Sequence, residues 1–146
     1  MHSLSCGVPD PKETSSRPAV AEITLATSRD VVAARQAVAR ILKERGLSAV
    51  RITRFATAVS EITRNAIVHG GGGKISIYLD GRNEYLRVEC RDEGPGIEDV
   101  TLAMSEGYTT GGGLGKGLGG AKRLSHGFEV HSAPGKGTTV SMSVKL

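Results

Sequence analysis

Aromatic residues are scarce in this chain: they make up 3% of its 146 residues, and tryptophan is absent. A platform that stacks nucleic-acid bases on aromatic rings is therefore not expected. Lysine and arginine are scattered with no run of five, so the net charge of +4 gives no polybasic tract. That charge favours acidic or phosphate-rich partners only in a general way. The two cysteines, Cys6 and Cys90, form neither a metal-ligand spacing nor a disulfide framework. Cys90 falls in a strand pattern and reads as a small buried hydrophobe. No apolar run reaches the ~18 residues of a membrane helix. The first residues also lack the basic start and apolar centre of a signal peptide. The expectation is a reduced, cytoplasmic protein with no nucleic-acid and no membrane partner.

What the chain does have is glycine, 20 residues in all, about twice the usual share. The glycines cluster at 70–73 and 111–120, which assigns them to local backbone tasks. Apolar residues make up 38%, enough for one domain with a core. With so few aromatics that core must be aliphatic. Residues 1–18 hold three of the five prolines and much serine, and read as a disordered arm. Residues 19–146 are expected to form one domain.

Periodicity divides that domain. Val20–Ala26 reads as a short strand. Thr27 and Asp30 have capping-box spacing ahead of Val31, Ala34, Val38, Ile41 and Leu42, one amphipathic helix closed by Gly46. A second helix follows Ser48, with Ile52, Phe55, Val59, Ile62 and Ala66 on one face. Lys74–Asp80 and Glu84–Arg91 alternate around a Gly81–Asn83 turn and predict an antiparallel hairpin. A short helix near Glu98–Ser105 and a longer one over Gly117–His126 come next. Phe128–Ser132 and Thr138–Lys145 close the chain as strands. This order is not a βαβ alternation; it predicts an α+β, two-layer sandwich.

Four segments carry candidate chemistry. Asp92 stands at a strand end before Glu93-Gly94-Pro95-Gly96. A carboxylate there can accept a hydrogen bond from an exocyclic amine such as adenine N6, and the glycines let the backbone approach a flat base. Such an acceptor is worth about 1.5–3 kcal/mol, although acid-glycine turns are common without any ligand. The belt from Gly111 to Gly120 can present successive backbone N–H groups to an anion, and the helix after it presents its positive end. Lys116 adds a point charge. The same glycines would suit a flexible linker, but a linker has no need of Leu114 and Leu118 at helical spacing. Glu61 and Asn65 are four apart on the second helix, hence on one side. Glu61 can take a proton from an attacking hydroxyl, and the Asn65 amide oxygen can ligate Mg²⁺. They would equally suit an exposed polar stripe. Thr138, after Gly137, can hydrogen-bond near a base. The four histidines show no metal or triad grouping.

Two familiar patterns fail. Gly115-x-Gly117-x-x-Gly120 matches a dinucleotide fingerprint, but no apolar strand precedes it. The Walker pattern fails because Gly117 follows Lys116 and Thr110 stands where its first glycine belongs.

Taken together, 61–66 (EITRNA), 92–97 (DEGPGI), 111–119 (GGGLGKGLG) and Gly137-Thr138 resemble the nucleotide site of the gyrase/Hsp90/histidine-kinase/MutL superfamily of ATPases. The likeness runs from about Val20 to the C-terminus. It implies a Bergerat-type fold: a mixed, mostly antiparallel five-stranded sheet with helices on one face. It implies ATP and Mg²⁺ as cofactors. Asp92, Gly94, Gly96, Ile97 and Thr138 would form the adenine pocket, Asn65 would hold the metal, and Gly113, Leu114, Gly115, Lys116, Gly117 and Leu118 would enclose the phosphates. Glu61 would be the catalytic base. Within that superfamily the small size and 106–118 (EGYTTGGGLGKGL) are most similar to the anti-sigma-factor and stressosome switch-kinase branch. That likeness implies a serine/threonine kinase acting on a STAS-domain protein, with a PP2C-type phosphatase as second partner. The helix segment EITRNAIVH is closer to the sigma-binding relatives, which keeps sequestration of a sigma factor as the alternative. A simple ATPase with water as acceptor is a third reading.

Overall fold

A computed structural model describes residues 2–6, 18–97 and 118–146, the first of these as backbone. The elements are β1 His2–Cys6, β2 Ala21–Leu25, α1 Ser28–Glu44, α2 Ala49–Val68, β3 Gly73–Asp80, β4 Tyr85–Asp92, α3 Leu118–Arg123, β5 Gly127–Ser132 and β6 Thr138–Lys145. The expected helix near Glu98–Ser105 and most of the glycine belt lie outside the described residues.

All five expected strands form, in the order β5-β6-β4-β3-β2, and β1 adds a sixth at the β5 edge. That strand departs from the sequence reading, which left 1–18 as an arm. Leu4 and Cys6 alternate with Ser3 and Ser5, but two apolar residues in a five-residue segment are too few to announce a strand. β1 pairs from His2 opposite Ser132 to Cys6 opposite Phe128, and the open edge of β5 needs only backbone partners. The sheet also corrects the expectation of mixed strand directions: every pairing among the described residues is antiparallel.

Alternation decides the layers. Ile75 and Ile77 of β3, Leu86, Val88 and Cys90 of β4, Phe128 and Val130 of β5, and Val140, Met142 and Val144 of β6 all turn to the helix side and are buried. They meet Ala34, Val38 and Leu42 of α1 and the buried stripe of α2, which includes Phe55, Val59, Ile62 and Ala66. The core is aliphatic as expected, and both phenylalanines of the chain, Phe55 and Phe128, lie in it. Each such side chain contributes about 1.5–3 kcal/mol by leaving water.

The helix ends are set by local chemistry. The Asp30 carboxylate accepts from the backbone N–H of Thr27 at 2.9 Å and of Ala26 at 2.8 Å, tying down the entry to α1. Ser48 caps α2 by accepting from Arg51 N–H at 3.2 Å. At the other end of α2, Gly72 N–H donates to Ala66 O at 2.9 Å, and Gly71 and Gly72 have positive φ of 73° and 110°. That turn brings the chain directly into β3 and sets the end of α2 against the end of β4. The hairpin turn takes Gly81, Arg82 and Asn83 through positive φ in succession. Among the described residues no helix is long and apolar enough to cross a membrane.

Candidate nucleotide site

The site lies where the C-terminal turn of α2 meets the ends of β4 and β6. Antiparallel register sets Asp92, the last residue of β4, opposite Thr138, the first of β6. Asp92 is half-buried. Its Oδ1 accepts from Gly94 N–H at 2.9 Å, and the Thr138 N–H also bonds the carboxylate. Burial nevertheless dominates and pushes the carboxyl above its usual value, with the two N–H groups opposing. Directly beneath, Cys90 is buried and pushed up to about 12, first by burial and then by the Asp92 charge. Its thiol faces Ile62 O at 3.7 Å. It is a packing residue, in keeping with its strand position.

Glycines make this corner possible. A side chain at Gly70 would run into the Asp92 carboxyl group, and one at Gly94 would come within 2.5 Å of Gly70 Cα. Gly96 and Gly137 have positive φ of 79° and 75° and face backbone carbonyls of Ala133 and Asp92. Gly135 N–H donates to Pro95 O at 2.8 Å. The 92–97 turn is thereby docked on the β5–β6 turn.

A cavity opens beside this corner. Ile62, Ala66, Ile97, Leu118 and Val140 give it apolar walls; Asn65, His69, Asp92 and Thr138 supply polar groups. Apolar walls beside one half-buried carboxylate can take a ligand with an apolar face and a hydrogen-bond donor at its edge. Six residues named from sequence, Asn65, Asp92, Gly96, Ile97, Leu118 and Thr138, line this one cavity. Gly94 shapes the turn behind it.

Glu61 is not among the lining residues. It sits one turn earlier on α2, partly exposed, paired with Arg64 at 3.2 Å. Gly113, Leu114, Gly115, Lys116 and Gly117 lie outside the described residues. No cluster of three or more acidic, histidine or cysteine side chains that could cage a metal occurs among the described residues.

Sequence reasoning missed Gly70 and Ser132. Gly70 was visible only as one of a glycine run. Ser132 had a signal: it continues the Phe128, Val130 series, so it is a polar residue on the buried side of β5. Its Oγ, fully buried, accepts from Ile97 N–H at 2.8 Å, donates to Gly137 O at 2.9 Å and lies 2.9 Å from Thr138 Oγ1.

Comparison with known proteins agrees with this geometry. Residues 24–144 match the family described as histidine kinase-like ATPase domain. The serine/threonine-protein kinase RsbT of Bacillus subtilis (strain 168) is 40% identical over 120 residues, covering 81% of this chain and 90% of that protein. The anti-sigma F factor of Thermoanaerobacter sp. (strain X514) is 35% identical over 127 residues, covering 82% and 87%. The histidine kinase domain of the blue-light activated kinase of Erythrobacter litoralis EL346 superposes with a TM-score of 0.55 at 19% identity, over 92% of this chain and 69% of that one. With its α+β sandwich and a cavity at the ends of β4, β6 and α2, the chain belongs to the histidine kinase-like ATPase domain family.

Proposed function

We propose that this protein is an ATP-dependent serine/threonine protein kinase of a bacterial stress-response partner switch. The observation that carries the reading is the convergence of Asn65, Asp92, Gly96, Ile97, Leu118 and Thr138, from α2, β4, its following turn, α3 and β6, on one cavity. Likeness to a serine/threonine-protein kinase over four fifths of the chain supports the reaction class.

In this reading the Asp92 carboxylate accepts from the adenine amine while Ile62, Ala66, Ile97 and Val140 cover the ring faces. Asn65 would lend its amide oxygen to Mg²⁺, which would supply charge against the phosphates. Gly113, Leu114, Gly115, Lys116, Gly117 and Leu118 surround the phosphate chain with N–H groups and one ammonium. Glu61, one turn before Asn65, receives the proton of the acceptor hydroxyl as its oxygen bonds the γ-phosphorus and ADP departs. Phosphoryl transfer depends mainly on positioning and charge, so this short set of groups suffices. The acceptor is a serine or threonine of a STAS-domain protein, and the released kinase activates a PP2C-type phosphatase. Likeness to anti-sigma F factors favours a second reading, in which the protein sequesters a sigma factor under ATP control.

Incubation with labelled ATP, with and without a STAS-domain protein, separates these readings. Label on the partner is the expected result. Free phosphate alone would reduce the protein to an ATPase. A stable sigma complex with no transfer would replace the kinase reading by the binder. Glu61→Ala should keep nucleotide affinity and lose transfer.

A further inference from the structure

We infer that Ser132, which lines no part of the cavity, sets the polarity of the nucleotide pocket through Thr138 and is a positioning residue for base selection. The inference rests on the proposed adenine site and deepens it. A serine hydroxyl has one hydrogen and two acceptor lone pairs. Ser132 Oγ has three partners, each within 2.9 Å. Ile97 N–H is a donor and occupies one lone pair; Gly137 O is an acceptor and takes the only hydrogen. The remaining partner, Thr138 Oγ1, must therefore donate to Ser132.

That assignment reaches the ligand. Thr138 spends its one hydrogen inside the protein and shows the cavity only lone pairs. Asp92, opposite it in the strand register, is likewise an acceptor when ionised. Two acceptors side by side suit a base edge carrying an amine. They disfavour the same edge carrying a carbonyl, as in hypoxanthine, where lone pairs would face lone pairs. Asp92 alone discriminates less well, because a free Thr138 hydroxyl could rotate and donate to that carbonyl. Ser132 is fully buried, so this chain of bonds is shielded from bulk water.

The test compares binding of ATP and of ITP, which bears a carbonyl in place of the amine and a hydrogen on the neighbouring N1; the Thr138 variants isolate the part of the preference that the hydroxyl sets. Calorimetry would be run on the intact protein, on Ser132→Ala and Thr138→Val, and on the double variant, with unliganded melting as a folding check. The parent should prefer ATP. Ser132→Ala should narrow that preference by about tenfold, the worth of one hydrogen bond turned from repulsive to attractive. Adding Ser132→Ala to Thr138→Val should change the ratio no further. Equal loss of affinity for both nucleotides in Ser132→Ala, with the ratio intact, would reduce Ser132 to a scaffold residue and overturn the inference. If Ser132→Ala does not fold, Thr138→Val decides: an unchanged ratio overturns the assignment, a narrowed one supports it. A parent that binds ATP without preference sinks the inference but not the site. A parent that binds neither nucleotide sinks both.

Discussion

At Asp92 binding and stability pull in opposite directions. Burial raises its carboxyl in the folded protein above the ordinary value of 3.8. A raised carboxyl stabilises the fold only while protonated: the contribution is complete below the unfolded value and is lost as pH rises through the folded one. A charge at this position is therefore carried at a cost, which the proposed role in adenine recognition would account for. Asp92→Asn should melt no lower than the parent at pH 7, with any gain shrinking as pH falls toward 4. It should bind ATP about ten- to a hundred-fold more weakly. A destabilised variant with unchanged affinity would contradict both halves. ATP affinity of the parent should also fall as acid protonates Asp92. Gly70 gives a second prediction. A Cβ there collides with the Asp92 carboxyl, so Gly70→Ala should cost about 1–3 kcal/mol and displace Asp92, weakening ATP binding. Denaturant titration and calorimetry on one preparation would show the two losses together.

Among the elements, α2 carries most of the burden. One face supplies Phe55, Val59 and Ile62 to the core, its last turn supplies Asn65 to the cavity wall, and the turn that follows supplies Gly70. Phe55→Ala should cost about 3–5 kcal/mol, a large part of the 5–15 kcal/mol typical of a domain, and urea unfolding would measure it. The entry to α1 has a pH signature of its own. The two backbone N–H groups of Thr27 and Ala26 hold Asp30 below its ordinary value. Its contribution is present above the unfolded value and disappears as pH falls through the lowered one. Asp30→Ala should thus lower the melting temperature at pH 7, and the gap to the parent should close in acid. These elements were legible because apolar residues recur every three or four positions in α1 and α2 and every second one in β3 and β4. β1 was not, since five residues with two apolar positions do not stand out from the serines and prolines of residues 1–18.

For the whole molecule, the nucleotide should act as a fold stabiliser, because strands and helices that are distant in sequence all reach the cavity. ATP at a hundred times its Kd adds about 2.7 kcal/mol, or roughly 5–10 °C in a chain of this size. With no tryptophan to report binding, scanning calorimetry is the direct measurement. Glu61→Ala should keep the shift and Asp92→Asn should lose most of it; a shift equal in all three would place the nucleotide elsewhere.

The order of residues alone determined α1, α2, five strands and the aliphatic make-up of the core, because helix and strand periodicity and composition are properties of short stretches of chain. Only the tertiary structure decided that Asp92 faces Thr138 across two strands, that Gly70 must lack a side chain for Asp92 to lie flat, and that buried Ser132 takes the hydrogen of Thr138. Those relations join residues more than twenty positions apart or fix the direction of a single hydrogen bond. Periodicity cannot encode either, since it reports which face a residue occupies and not which neighbour it meets there.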